Sequence, residues 1–389
     1  MVEFRDQLFA LTETPVINEV THDSLRVKRK ILMSEYIAGY PGGSSAHPHI
    51  LEDGTMILFR MDMRYTRSYN FISIPPQPAS PDLSPGPFTG AKIVATAPSR
   101  WKLNLSYTHS FGLTDNYFVH LEQPLTYNLP RMVAMAVTGS TVADCLTSYP
   151  GQSNKRTISI ISCSSESLAS LALFPCASRK KELFQSIEVK MEDILVIERS
   201  SGKRTAITYK APNGFVFHFI NCYEESDQIV CDTSFYPNGS DFIKSTYLEH
   251  LAQRPMEHFS ANYKVHFARF VLPLQLKGAG EGENLVKLPY TTATAVLAKG
   301  SQTTVCITPE IFEGNHGAEL PRINYAYNGK KYRYFYGSSA FAQSKSQLSK
   351  YDLTKKRVLT FEVEDNITPG EPVFLARPGA KQEDDGKRH

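Results

Sequence analysis

The chain has little of what marks several common functional classes. Its formal net charge is only +3 over 389 residues, too small for the basic footprint of a nucleic-acid binder. No apolar run approaches the ~18 residues that a membrane-spanning helix needs. The stretch from Met1 to Thr14 has no apolar core of the secretory kind. Six cysteines, at 145, 163, 176, 222, 231 and 306, form no CxxC pair and no zinc spacing. Without a secretory signal they read as free thiols of a reducing compartment, and the expected location is the cytoplasm. No Ser-His-Asp or Cys-His arrangement is recognisable. Helical periodicity is scarce, with Phe242 to Ala252 the best stretch.

Aromatic and turn-forming residues, by contrast, are plentiful. Twenty tyrosines and 22 phenylalanines stand beside 24 prolines and 23 glycines, a balance that suits many short strands broken by frequent turns. Gln7–Thr12, Thr55–Arg60, Tyr69–Ile74 and Lys264–Val271 read as strands. Glu52-Asp53-Gly54, Pro212-Asn213-Gly214, Pro237-Asn238-Gly239 and Asn328-Gly329 read as turns. With 41% hydrophobic residues there is ample material for a large core. The pattern predicts an all-β chain, sandwich or propeller, although no clean WD or kelch repeat is present. Pro75–Gly90 reads as a surface loop. The region of about 152–187, with its Ser-rich apolar patch and Arg179-Lys180-Lys181, reads as an atypical insertion.

Three histidines lie in short strand-like contexts: His47 in Ala46-His47-Pro48-His49, His109 in Ser106 to Gly112, and His218 in Phe217 to Asn221. Neutral imidazole suits ferrous iron, and each ligating histidine normally donates its other ring N–H to an acceptor that fixes its tautomer. Together with Thr12-Glu13-Thr14, Tyr117 to Pro124, Phe217 to Glu225, Phe270 to Leu274, Thr291 to Ala295, Glu319 to Tyr325, Gly329 to Gly337 and Glu371 to Gly379, these blocks resemble the carotenoid cleavage oxygenases. The likeness is to their animal branch of β-carotene oxygenases and retinoid isomerohydrolases.

The resemblance implies a seven-bladed β-propeller forming a single domain, with one Fe(2+) ion on its axis held by histidines. His47, His109 and His218 match three of the ligands. Glu13, Glu319 and Glu371 match the carboxylates that orient them. The implied reaction is oxidative cleavage of a conjugated double bond of a carotenoid by O2, giving apocarotenal or retinal products without a protein nucleophile. The alternatives are a retinyl-ester isomerohydrolase on the same scaffold, or an inactive fragment. Carotenoid or retinoid and O2 are the expected partners, with peripheral contact to a membrane and no nucleic acid. Asn221, Glu224 and Glu225 are weaker orienting candidates; Glu310 reads as a solvated charge, His49 as a neighbour rather than a ligand, and His120, His250, His258, His266 and His316 as surface or structural residues.

The family's fourth histidine stands in a His-Gly-x-Phe context that this chain lacks, and His389 does not replace it. The expectation is a propeller without its opening and closing blades. Glu371 is then expected to face an empty or water-filled position near the axis.

Overall fold

A computed structural model of the chain describes residues 1–37, 42–63, 67–77, 86–101, 104–139, 141–148, 191–237, 265–312, 317–339, 347–364, 367 and 369–388. The insertion of about 152–187 and the helix expected over Phe242–Ala252 lie outside these residues. So do His250, His258, His316 and His389.

Short strands and tight turns build sheets whose strands pair antiparallel, except for one parallel pairing of Thr208–Pro212 with Thr304–Thr308 in the third. The first contains β1 (Val2–Phe4), β2 (Gln7–Ala10), β3 (Val16–Val20) and β4 (Val27–Leu32), and the second β5 (His49–Ile50), β6 (Met56–Asp62), β7 (Ser68–Ile74) and β8 (Lys92–Pro98). β9 (Asn104–Ser106) is followed by β10 (Gly112–Leu113), β11 (Tyr117–Glu122), β12 (Leu125–Asn128), helix α1 (Leu129–Thr138), β13 (Leu146–Ser148), β14 (Met191–Glu198) and β15 (Thr208–Pro212). Of these, β10, β11, β14 and β15 run side by side, and β9, β12 and β13 form a separate small sheet. β16 (Phe215–Glu225), β17 (Gln228–Tyr236) and β18 (His266–Pro273) come next. β19 (Thr294–Leu297) and β20 (Thr304–Thr308) extend the third unit, and β21 (Glu310–Ile311) completes the fourth. The fifth unit holds β22 (Glu319–Ile323), β23 (Tyr334–Ser338), β24 (Gln347–Asp352) and β25 (Arg357–Glu362), and a ribbon of β26 (Phe374–Ala376) with β27 (Gly386–Arg388) follows.

The first strands of successive units are neighbours: β10 packs beside β16, and β16 beside β22. Sheets that meet through their first strands are arranged radially about a line, which is a β-propeller. The described residues hold four four-stranded sheets, a third unit extended to six strands, the small β9–β12–β13 sheet and the β26–β27 ribbon.

Aromatic side chains fill the wedges between blades. Phe59, Phe71, Phe111, Phe118 and Phe215 are fully buried in one continuous apolar cluster, and Phe71 stacks on Phe118 with centroids 4.3 Å apart. Each buried ring removes 150–250 Å² of surface from water, roughly 4–6 kcal/mol at ~25 cal/mol/Å². Helix α1 was not expected from the apolar pattern. Its ends are specified locally: Asn128 Oδ1 accepts the Arg131 backbone N–H, a proline opens the first turn, and Gly139 ends the helix at φ +66°. These cap signals were the ones available in the sequence.

Candidate metal centre

His47 enters just before β5, His109 just before β10, and His218 lies on β16, so all three stand at the first strands of different blades. Their ring centroids are 4.6, 4.8 and 4.8 Å apart, with interplanar angles of 53°, 85° and 87°. The three imidazoles thus form a nearly equilateral group. One nitrogen from each lies within 4.8 Å of the others.

Carboxylates settle which nitrogens face inward. His109 Nδ1 lies 2.5 Å from Glu13 Oε1, and His218 Nδ1 lies 2.6 Å from Glu319 Oε2. A carboxylate oxygen accepts, so both Nδ1 atoms carry a proton and each ring turns its Nε2 away from its carboxylate. His47 Nε2 sits 2.8 Å from His109 Nε2. Converging lone pairs at this spacing suit a cation between them, since two imidazoles on one ion at ~2.1 Å bonds can approach each other this closely. The donor set therefore fits a metal ion.

The electrostatics agree with ligation. Burial, then the neighbouring His218, His109 and Arg322, push the His47 pKa far below its ordinary value and keep the ring neutral. Burial alone would raise Glu319, but the adjacent His218, with hydrogen bonds from His218, the Leu320 N–H and Tyr236, brings its carboxyl below the usual range. Glu319 is thus held as an anion.

Backbone close approaches bring the segments together. A side chain at Gly43 would meet the Glu13 carbonyl oxygen at 2.1 Å, so only glycine lets the strand entering β5 lie against the Glu13 loop. At Gly112 a Cβ would meet Cys222 Sγ at 2.4 Å, which packs the His109 segment against β16. Ser45 ties two ligands: its hydroxyl donates to the His109 carbonyl at 2.5 Å and accepts the His47 N–H at 3.1 Å. Tyr107, two residues before His109, donates its hydroxyl to Glu13 at 2.8 Å. Neither Ser45 nor Tyr107 was singled out from the sequence, although the two-residue alternation of a strand could have pointed to Tyr107.

Several expectations need correction. Glu371 does not face an open position: its carboxylate is held by Arg322, Nε to Oε1 at 2.9 Å and Nη2 to Oε2 at 3.1 Å. Asn221 orients no ligand; it clamps the 327–330 loop through the Tyr327 and Lys330 carbonyls and the Gly329 N–H. Glu224 caps the β10–β11 turn through Thr114 and Asn116, and Glu225 pairs with Lys331 and Tyr290. Glu310 is buried rather than solvated, accepting the Thr291 hydroxyl at 2.7 Å and pairing with Lys356. His49 is a neighbour as expected, between the Phe111 carbonyl and Asn328 Oδ1, each at 3.1 Å. His120 is fully buried between Phe59 and Tyr69, and neither ring nitrogen has a hydrogen-bond partner among the described residues.

Fold and site together define a β-propeller whose inner strands converge three histidines into a metal-type centre. A family model described as retinal pigment epithelial membrane protein (RPE65) matches residues 1–387, and the chain belongs to that family. It is 29% identical over 396 residues to a mitochondrial carotenoid-cleaving dioxygenase of Mustela putorius furo, covering 99% of this chain and 64% of that protein. It is 30% identical over 386 residues to a beta,beta-carotene 15,15'-dioxygenase of Rattus norvegicus, covering 98% and 60%. The chain thus spans less than two thirds of the length of these relatives. Among solved structures, a mutant of the Synechocystis apocarotenoid oxygenase aligns with a TM-score of 0.64 at 18% identity, over 99% of this chain and 63% of that one. The cobalt-substituted form of that oxygenase aligns at 0.62, with the same identity and coverage.

Proposed function

We propose that the chain carries the centre of an iron(II)-dependent carotenoid oxygenase, which cleaves a conjugated double bond of a carotenoid with O2 to give apocarotenal or retinal products. The observation that carries this reading is the triad itself: three imidazoles that bring one ligand atom each within 4.8 Å of the others, two of them anchored through Nδ1 on carboxylates. Relatives named as carotenoid dioxygenases support the reaction class.

In this reading His47, His109 and His218 hold one ferrous ion, which when bound supplies the redox chemistry towards O2. Glu13 and Glu319 keep the Nδ1 protons in place, so the Nε2 lone pairs stay directed inward. Tyr107, Phe215, Phe217 and Tyr236 form an aromatic wall beside the triad, with Phe217 edge-on to His109 at 5.2 Å. This wall excludes water and offers an apolar face to a polyene. The serines nearest the triad are engaged with backbone carbonyls, Ser45 with His109 and Ser110 with Phe217, and take no nucleophilic role. Glu371 is retained as a third carboxylate near the centre, acting through Arg322.

The family description also accommodates isomerohydrolysis of a retinyl ester. Incubation of the ferrous-loaded chain with β-carotene under air separates the two. Apocarotenal or retinal product is expected, whereas retinol from a retinyl ester with carotenoid left intact would overturn the cleavage reading.

A further inference from the structure

Glu319 and Arg322 stand three positions apart on β22, a spacing that in a regular strand sends side chains to opposite faces. β22 is not regular here. Glu319 pairs with Ser338 and Arg322 with Tyr336, so three steps on β22 match two on β23. Ser338 and Tyr336 share a face, and directly paired residues share a face as well. The bulge therefore returns Arg322 to the face from which Glu319 reaches His218. Leu320 provides the extra residue at φ +48°, a left-handed conformation that leucine occupies only at a cost of order 1–3 kcal/mol. A strained backbone thus aims a histidine-anchoring carboxylate and a guanidinium the same way.

The guanidinium meets Glu371 through one hydrogen bond, Nη2 to Oε2 at 3.1 Å, and one ion-pair contact, Nε to Oε1 at 2.9 Å. It stands on the face of β22 from which Glu319 reaches His218. A fixed positive charge beside a cation site repels the cation, and a carboxylate clamped onto it cancels part of that repulsion. The two side chains are 38% and 33% exposed, so water and salt weaken the effect without abolishing it.

We propose that Arg322 and Glu371 form a charge-setting pair for the His47–His109–His218 centre. Arg322 weakens its hold on a divalent cation and positions Glu371, which strengthens that hold. The inference rests on reading the triad as a metal site. The test is a titration of Co²⁺ into the metal-free full chain at low salt, followed by calorimetry and by the visible absorption of bound cobalt. Unfolding midpoints are recorded for every variant. Glu371→Gln is expected to loosen Co²⁺ by a few-fold, the scale of one partly exposed charge acting through space. Arg322→Gln is expected to tighten it by a few-fold, Arg322→Lys to stay near wild type, and the double variant Arg322→Gln/Glu371→Gln to return to within roughly twofold of wild type. The differences should shrink at about 0.5 M salt. No Co²⁺ uptake by the wild-type chain would remove the metal reading and the proposal with it. Uptake by the wild type, with Arg322→Gln unchanged or looser, would overturn the proposal alone. A purely structural pair would lower both unfolding midpoints and leave the affinities without this opposition of sign.

Discussion

At the residue scale, the carboxylate on His218 and the fully buried His120 give the sharpest expectations. Glu319→Gln replaces an anion by an amide that donates as readily as it accepts, so it no longer enforces the Nδ1–H tautomer of His218. Metal retained after gel filtration should fall roughly 10–100-fold, and a variant that keeps the wild-type metal content would remove Glu319 from the site. His120 acts on stability instead. Burial, then the charge of Arg100, pushes its pKa down to about 3, whereas in the unfolded chain it titrates near 6.5. The unfolded state therefore takes up a proton first as pH falls. Stability from keeping His120 neutral is complete above about 6.5 and is lost progressively between 6.5 and 3. On that basis the wild type should lose about 2 kcal/mol more than His120→Phe between pH 7 and pH 5 in urea unfolding. Parallel pH profiles for the two proteins would refute this. At pH 7 the phenylalanine should itself stabilise, since it leaves no buried ring nitrogen unpaired.

At the scale of elements, the bulge in β22 and the glycine contact between β10 and β16 place the chemistry. Leu320→Gly should keep or raise stability, because glycine adopts φ +48° without strain, while Leu320→Val should cost more than 1 kcal/mol; equal unfolding midpoints for the two would show that the backbone relaxes there. Gly112→Ala should destabilise by driving a methyl group into Cys222 Sγ, and Cys222→Ala in the same chain should recover most of the loss. This scale also explains what the sequence could reveal. The three histidines and Glu13 and Glu319 sit in local blocks that resemble a known family, so they were legible residue by residue. Arg322 was not: its facing depends on a register shift against β23, which no local pattern records. Asn221, Glu224 and Glu310 were misread for a related reason, because their partners lie far along the chain. Helix α1 was passed over because apolar periodicity was weighed above its caps.

At the scale of the whole molecule, the all-β reading and the radial order of the blades agree with the sequence's wealth of short strands and turns. Among the described residues no helix is long and apolar enough to cross a membrane. Helix α1 nevertheless presents Val133 and Val137 to solvent at 79% and 87% exposure, a costly arrangement in water that suits a lipid surface. The peripheral membrane contact that the family resemblance implies predicts that Val133→Asp/Val137→Asp will lower co-sedimentation with phospholipid vesicles while leaving metal uptake unchanged. Undiminished vesicle binding would move the contact elsewhere.

The dispersal of the histidines over separate blades also fixes an order of events in the life of the protein. His47 and His109 are 62 residues apart, His109 and Glu13 96, and His218 and Glu319 101. Every one of these loops must close before the centre exists, and closures of this kind come late and slowly in folding. An ion cannot then seed the fold as it does in a zinc finger; it can only be captured by a chain that has already formed its blades. Extra metal supplied during synthesis should therefore do little for a variant that folds poorly, whereas a chelator added to the finished protein should empty the centre and leave the blades standing.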